Sequence, residues 1–188
     1  MNNLKPFFLV LFLIFLSCKQ SKTYEGESYI NYPDFNMLYN DYIAPYEKSA
    51  VKILRITTEN GHSDSLLQRS EEVDWNHIKS FLNTASINNE SHTNKYSIDL
   101  INDTLYQNTT VVFSALAPNE LTKKVSISAQ EHAKNVKTIY IEYEDNGFFS
   151  STKKKFLYKN GQFLQLVEMS KKPFSKAKEK ITLWKFVY

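Results

Sequence analysis

One cysteine, four histidines and a handful of acid and lysine clusters are the groups in this 188-residue chain that could do chemistry. Cys18 is the sole thiol, so it offers a site for alkylation or acylation and no internal disulfide. His62, His77, His92 and His132 fall in no H-E-x-x-H or H-x-H pattern, and a single cysteine cannot complete a thiolate set, so no metal centre is expected. G-x-S-x-G, P-loop and G-x-G-x-x-G motifs are all missing, and four glycines leave little to build a phosphate cradle, so no cofactor is expected. Glu71, Glu72 and Asp74 precede a helix, where acids complement the dipole. Glu142, Glu144 and Asp145 read as the solvent side of a strand end. The basic clusters are Lys153, Lys154 and Lys155, then Lys171 and Lys172 followed by Lys176, Lys178 and Lys180. They read as solvated strand ends and a loop, with contact to anionic lipid headgroups as the functional alternative.

The surroundings of Cys18 say which chemistry it meets. Lys5 gives a short positive start, and residues 7–16 are all apolar. Ten residues at 1.5 Å rise span roughly 15 Å, about half a hydrocarbon core. That is short for a transmembrane helix and right for the apolar region of a signal peptide. Phe15-Leu16-Ser17-Cys18 follows and resembles the lipobox of bacterial lipoproteins, with Phe15 where that pattern prefers Leu. The resemblance implies diacylglyceryl transfer to Cys18, cleavage before it and acylation of the new amine. Lys19, in place of the Asp that retains inner-membrane lipoproteins, favours the outer membrane. Residues 1–17 are thus expected to be a signal, 18–32 a lipidated tether and 33–188 one domain. Fourteen coil residues reach roughly 20 Å at about 5–6 Å × √n.

The net charge of +3 becomes +2 without Lys5, which gives no reason to expect a nucleic-acid partner. At 42% hydrophobic and 14% aromatic, with few Gly and Pro, the composition favours a folded, strand-rich domain. A helix is expected from Asp34, carrying Phe35, Leu38, Tyr39, Tyr42, Ile43 and Tyr46 and limited by Pro45. Asn60-Gly61 predicts a two-residue hairpin turn with Ile56 opposite Ser65 and Leu54 opposite Leu67. Asp74 predicts a second helix start, with Val73 and Ile78 as a staple and Trp75, Ile78, Phe81, Leu82 and Ala85 as its apolar stripe. From residue 95 the pattern alternates as a meander, with turns expected at Asn102-Asp103, Asp145-Asn146-Gly147 and Asn160-Gly161. The strands include 105–116, 136–143, 148–158 and 180–188. Apolar residues on both sides of the last strand, Trp184 and Phe186 against Ile181, Leu183 and Val187, predict burial on both faces.

The expected fold class is α+β: a curved antiparallel meander of about eight or nine strands with two N-terminal helices on its concave face, or alternatively a closed up-and-down barrel. A helix in a half-barrel resembles periplasmic lipoprotein carriers of the Lol type at the level of fold only. Further local patterns are Asp74-Trp75 with Ile87-Asn88 twelve residues after the Trp, Ser114 to Pro118 closing a strand, and Leu157-Tyr158 before a turn. With the lipobox, they resemble an uncharacterised family of small lipoproteins from Bacteroidota-type bacteria. That family runs Trp, Glu-Leu, Phe, Asp-Ile-Asn-Lys; here Ile78-Lys79, Leu82, Ser86 and Asn89 stand at the differing positions. The resemblance implies location and architecture and carries no activity.

Two functions are compatible with these residues, beside a purely structural or accessory subunit that the sequence does not distinguish from them. One is a non-catalytic envelope lipoprotein, membrane-bound through Cys18, that binds an envelope protein or a lipid. Phe35, Tyr42, Tyr46, Trp75, Trp184 and Phe186 are then core or partner-binding aromatics, and Lys153, Lys154, Lys155, Lys171 and Lys172 are headgroup contacts. It predicts an apolar pocket or an exposed aromatic patch. The other is an enzyme acting on envelope material, which predicts perturbed ionisable groups converging in one cleft.

Overall fold

The chain enters the sheet through a hairpin, β1 (Lys52–Glu59) and β2 (His62–Arg69), whose turn has positive φ at both Asn60 and Gly61, the twist a type I′ turn supplies. The structure is a computed structural model that describes residues 32–130 and 135–188; Cys18, most of the tether and His132 lie outside them. Seven more strands follow: β3 (Tyr96–Asp103), β4 (Asn108–Ala115), β5 (Thr122–Gln130), β6 (Val136–Asn146), β7 (Ser151–Lys159), β8 (Phe163–Lys171) and β9 (Lys178–Val187). Together they form one nine-stranded antiparallel sheet in the order β2-β1-β9-β8-β7-β6-β5-β4-β3. The edge strands β2 and β3 do not pair, so the sheet is open and the closed-barrel alternative is overturned.

Register puts one apolar row on a single face. Ile53 stands opposite Phe186, Trp184 opposite Leu164, Leu164 opposite Tyr158, Phe156 opposite Ile141, and Ile141 opposite Val125. All of them are buried. The other face of the same strands carries Leu54, Leu183, Leu157 and Val167, only half-buried. β9 is therefore buried on one face rather than two. Its outer residues Ile181 and Leu183 are half-covered and Val187 is exposed, because every helical residue of the core joins the Trp184 side.

Helix is a minor share of a mainly β molecule. α1 (Phe35–Leu38) is capped by Asp34, whose carboxylate accepts from the Asn36 amide at 2.8 Å. It runs into a π turn (Tyr39–Ile43) and then α2 (Ala44–Glu47). The helical path thus passes Pro45, which the sequence reading places at its end. In the π turn the Ala44 N–H reaches back to Tyr39 O, one residue further than in an α-helix, and Pro45 then enters an early position where its missing N–H is not needed. α3 (Trp75–Thr84) follows expectation: Asp74 accepts from the His77 amide, and Trp75, Ile78, Phe81 and Leu82 are buried. Phe35, Tyr39, Ile43 and this stripe share one core with the sheet.

Three turn positions differ from the sequence reading. β3 continues through Asp103, whose carboxylate then accepts from the Leu105 and Tyr106 amides, so β4 starts at Asn108. The Asn160-Gly161 connection uses three residues, since Lys159 pairs with Phe163. β6 extends to Asn146 and β7 begins only at Ser151, which leaves Phe148 and Phe149 in the loop.

A fourth turn carries a conformational cost. At Lys172-Pro173-Phe174-Ser175 the Ser175 amide donates to Lys172 O at 3.2 Å, and Phe174 has φ of 59°. Pro at the second position and a left-handed third residue define a type II-like turn, where Gly or Asn is the ordinary choice. A β-carbon there costs about 1–2 kcal/mol. Phe174→Gly is accordingly expected to stabilise the domain by about 1 kcal/mol after its own entropy loss, a rise of about 2–4 °C in thermal unfolding followed by circular dichroism.

Candidate functional site

Strand register gathers five connections at one end of the sheet. Asn146 pairs with Ser151, Ser151 with Lys171, Ser170 with Lys178, and Glu59 with Lys180. The β6–β7 loop, the β8–β9 loop and the β1–β2 turn therefore lie side by side. Tyr96 pairs with Ala115, and Leu121 O accepts from the Glu144 amide at 2.8 Å, so the β4–β5 loop and the start of β3 sit at the same end. Three exposed phenylalanines lie at this end: Phe148 is 93% exposed, Phe149 71% and Phe174 fully exposed; Leu116, in the β4–β5 loop, is exposed too. The Phe148 and Phe149 rings meet edge to face at 4.6 Å.

The lysines divide into two classes. Lys153 lies 3.0 Å from Glu144, Lys154 2.9 Å from Glu168 and Lys155 3.4 Å from Glu142, all cross-strand neighbours. These three positive charges are answered within the sheet. Lys171, Lys172, Lys176 and Lys178 are exposed and make no side-chain ion pair among the described residues. The sequence signal for this split is Glu142 and Glu144 alternating opposite the facing lysines, but it needs the pairing register to be read.

The six aromatics named from the sequence are mostly core. Phe35, Trp75, Trp184 and Phe186 are buried; Trp75 Nε1 donates to Ser70 O at 2.8 Å. Tyr46 is half-buried and stacks on Phe186 with ring centroids 3.9 Å apart, while its hydroxyl accepts from the Gly161 amide. Tyr42 packs against the same core, and its carbonyl accepts from the Tyr158 hydroxyl at 3.0 Å. Burial, then the neighbouring tyrosines, pushes the Tyr158 hydroxyl far above its ordinary value. The phenylalanines that face solvent among the described residues, Phe148, Phe149 and Phe174, are ones the sequence pattern assigns to strand and loop without a role.

Two ionisable clusters are not legible in the sequence either. Glu120, buried, receives His92 Nδ1 and Lys95 Nζ at 3.1 Å each, beside the Tyr96 ring. Burial would push this carboxyl up, and the contacts from Lys95, then His92, override it and hold it below the usual range. Glu168 takes Lys154 at 2.9 Å and His77 Nε2, from the first turn of α3, at 3.6 Å. A cleft of about 180 Å³ opens next to this pair between α3 and the ends of β6 and β7, lined by His77, Ser80, Phe81, Tyr143, Thr152 and Lys154. Burial works to raise the Glu168 carboxyl too, and Lys154, His77 and Lys180 together hold it below the ordinary carboxylate range. A depressed carboxyl adds stability that is present above its unfolded pKa and lost as pH falls through the folded one. Unfolding temperature should therefore drop as pH goes from about 6 to about 3, and Glu168→Gln should start lower at the upper end and fall less steeply, measured by melts across that window. An apolar groove of about 530 Å³ lies beside the β7–β8 turn, between Phe163, Leu183 and Tyr188. Among the described residues no group of His, Cys, Asp and Glu could hold a metal ion, and no helix is long and apolar enough to cross a membrane.

No protein-family model matches this chain, and neither a curated protein nor a solved structure resembles it significantly. The site has to be interpreted from its own groups.

Proposed function

We propose that this chain is a membrane-anchored envelope lipoprotein, lipidated at Cys18, whose folded body is a non-catalytic module for a lipid-like or protein ligand at the outer membrane. The observation that supports it is the place where the body begins. Tyr32 packs its ring on Tyr96 at 5.9 Å and on Phe113 at 6.0 Å, at the end of the sheet that bears the exposed phenylalanines. Tyr32 stands only fourteen positions after Cys18. A lipid on Cys18 would keep that end within roughly 20 Å of the bilayer. The reading is tested by isolating the lipidated protein from envelope fractions and identifying co-purifying lipids and proteins by mass spectrometry. A reproducible ligand in stoichiometric amount is expected; an empty protein fails the reading.

An enzyme acting on envelope material is the second reading, favoured by the cleft that His77 and Lys154 line, both of them reaching the Glu168 carboxylate next to it. Release of soluble fragments from isolated envelopes by the wild type, lost in both His77→Ala and Glu168→Gln, would replace the first reading with this one.

A further inference from the structure

We infer that the loop end of the sheet docks on the surface of an anionic phospholipid bilayer, with Phe148, Phe149 and Phe174 entering the headgroup boundary. The inference rests on the lipoprotein reading above and names the ligand surface of the same module.

Three observations converge on it. Three phenylalanine rings on two adjacent loops stand in water, outside the core that takes Phe35, Phe81, Phe113, Phe156 and Phe186. Phe174 does so from a left-handed backbone in a turn where Gly is the ordinary choice, so its own fold disfavours the residue that is most exposed. The same loop segment, residues 171–180, carries five lysines against one glutamate, and Lys171, Lys172 and Lys176 make no side-chain ion pair among the described residues. Apolar rings at the tip with cations behind them match the order of a bilayer surface, acyl boundary inside and anionic phosphate outside. The opposite end of the sheet also exposes apolar groups, Leu105, Tyr106 and Tyr188, but the Asp103 carboxylate accepts from the Leu105 and Tyr106 amides, which sets the wrong sign for such a surface beside those two. Tyr32 is held at the loop end by Tyr96 and Phe113, and it stands fourteen positions after Cys18, so a lipid on Cys18 and the rings can reach the same bilayer.

The test uses the full chain carrying Phe148→Trp, reconstituted in vesicles of phosphatidylethanolamine and phosphatidylglycerol with brominated acyl chains. Trp75 and Trp184 are buried in the core and give a constant background. Docking is expected to shift the emission of the introduced indole to the blue and quench it. Neutralising Lys171, Lys172 and Lys176 to Gln should lower the docked-to-undocked ratio about fivefold for each lysine. Phe174→Gly should lower it as well while raising the unfolding temperature, which separates loss of contact from loss of fold. Mass spectrometry of Cys18 runs in parallel. Acylated Phe148→Trp protein whose added emission stays water-like overturns docking and leaves the lipoprotein reading standing. If Cys18 carries no lipid, that reading fails. The same chain is then added to preformed vesicles, where quenching still supports docking and its absence overturns it. Cross-linking from position 148 to an envelope protein instead of lipid also overturns it.

Discussion

Phe156→Ala is expected to destabilise the domain by about 3–5 kcal/mol, read as a fall on the order of 10 °C or more in thermal unfolding. Phe156 is 1% exposed and sits at the middle of the nine strands, between Ile141 on β6 and Leu166 on β8. From above it meets Phe81 of α3, ring centroids 5.9 Å apart, and Phe81 in turn touches Tyr143 at 6.3 Å. Removing the ring would open a void that central strands, fixed by ladders on both sides, cannot close. Fixed neighbours put the cost at the upper end of the measured spread. The comparison that gives the value meaning is Phe148→Ser, the same residue type at 93% exposure, where stability should change by less than about 0.5 kcal/mol. Equal effects at the two positions would mean that the loop end is packed against something, and the exposed rings could not serve as a contact surface.

The same contrast explains what the sequence can and cannot disclose. Strands whose alternation is bounded by a stereochemically demanding turn are legible in full: Asn60-Gly61 gives the register of β1 and β2 residue by residue, Leu54 opposite Leu67 included. The helix at Trp75 is legible because a cap, a staple and a stripe agree. Nine strands and the meander from β3 to β9 follow from such local signals, whereas the pairing of β1 with β9 and the question of closure do not. Whether β2 and β3 meet is decided by twist and strand count and not by any one residue. Phe148 and Phe149 look like strand residues since their β propensity is high, and propensity does not register that Gly147 and Ser150 flank them in a loop. Pro45 suggests its usual helix-ending role because a π turn leaves no composition signal. For the site, the lysines are visible in the sequence but their division is not. Lys153, Lys154 and Lys155 become internal partners only once β6, β7 and β8 are laid side by side, and the unpaired Lys171 and Lys172 gain meaning only from the phenylalanines next to them.

Cys18→Ser is expected to have the largest effect of any single change, and on attachment instead of folding. On the lipoprotein reading, the thiol sulfur is the atom that takes the diacylglyceryl group, and a serine hydroxyl is far too weak a nucleophile at neutral pH to replace it. Incorporation of labelled palmitate should fall to background, and the chain should keep its first seventeen residues, visible as a slower-migrating, unprocessed form. Two acyl chains hold a protein on a bilayer firmly at about 0.8 kcal/mol for each buried CH₂, whereas a retained apolar run of about ten residues spans only half of the hydrocarbon core. The variant should therefore also be washed from membranes by alkaline carbonate under conditions that leave the wild type bound. Its melting temperature is expected to match the wild type's, because the change alters attachment to the bilayer and leaves every described core residue in place. Labelled Cys18→Ser protein, or wild type that takes up no label, would leave the tether without an anchor and return the chain to an exported β-domain held at the surface by its loop end alone.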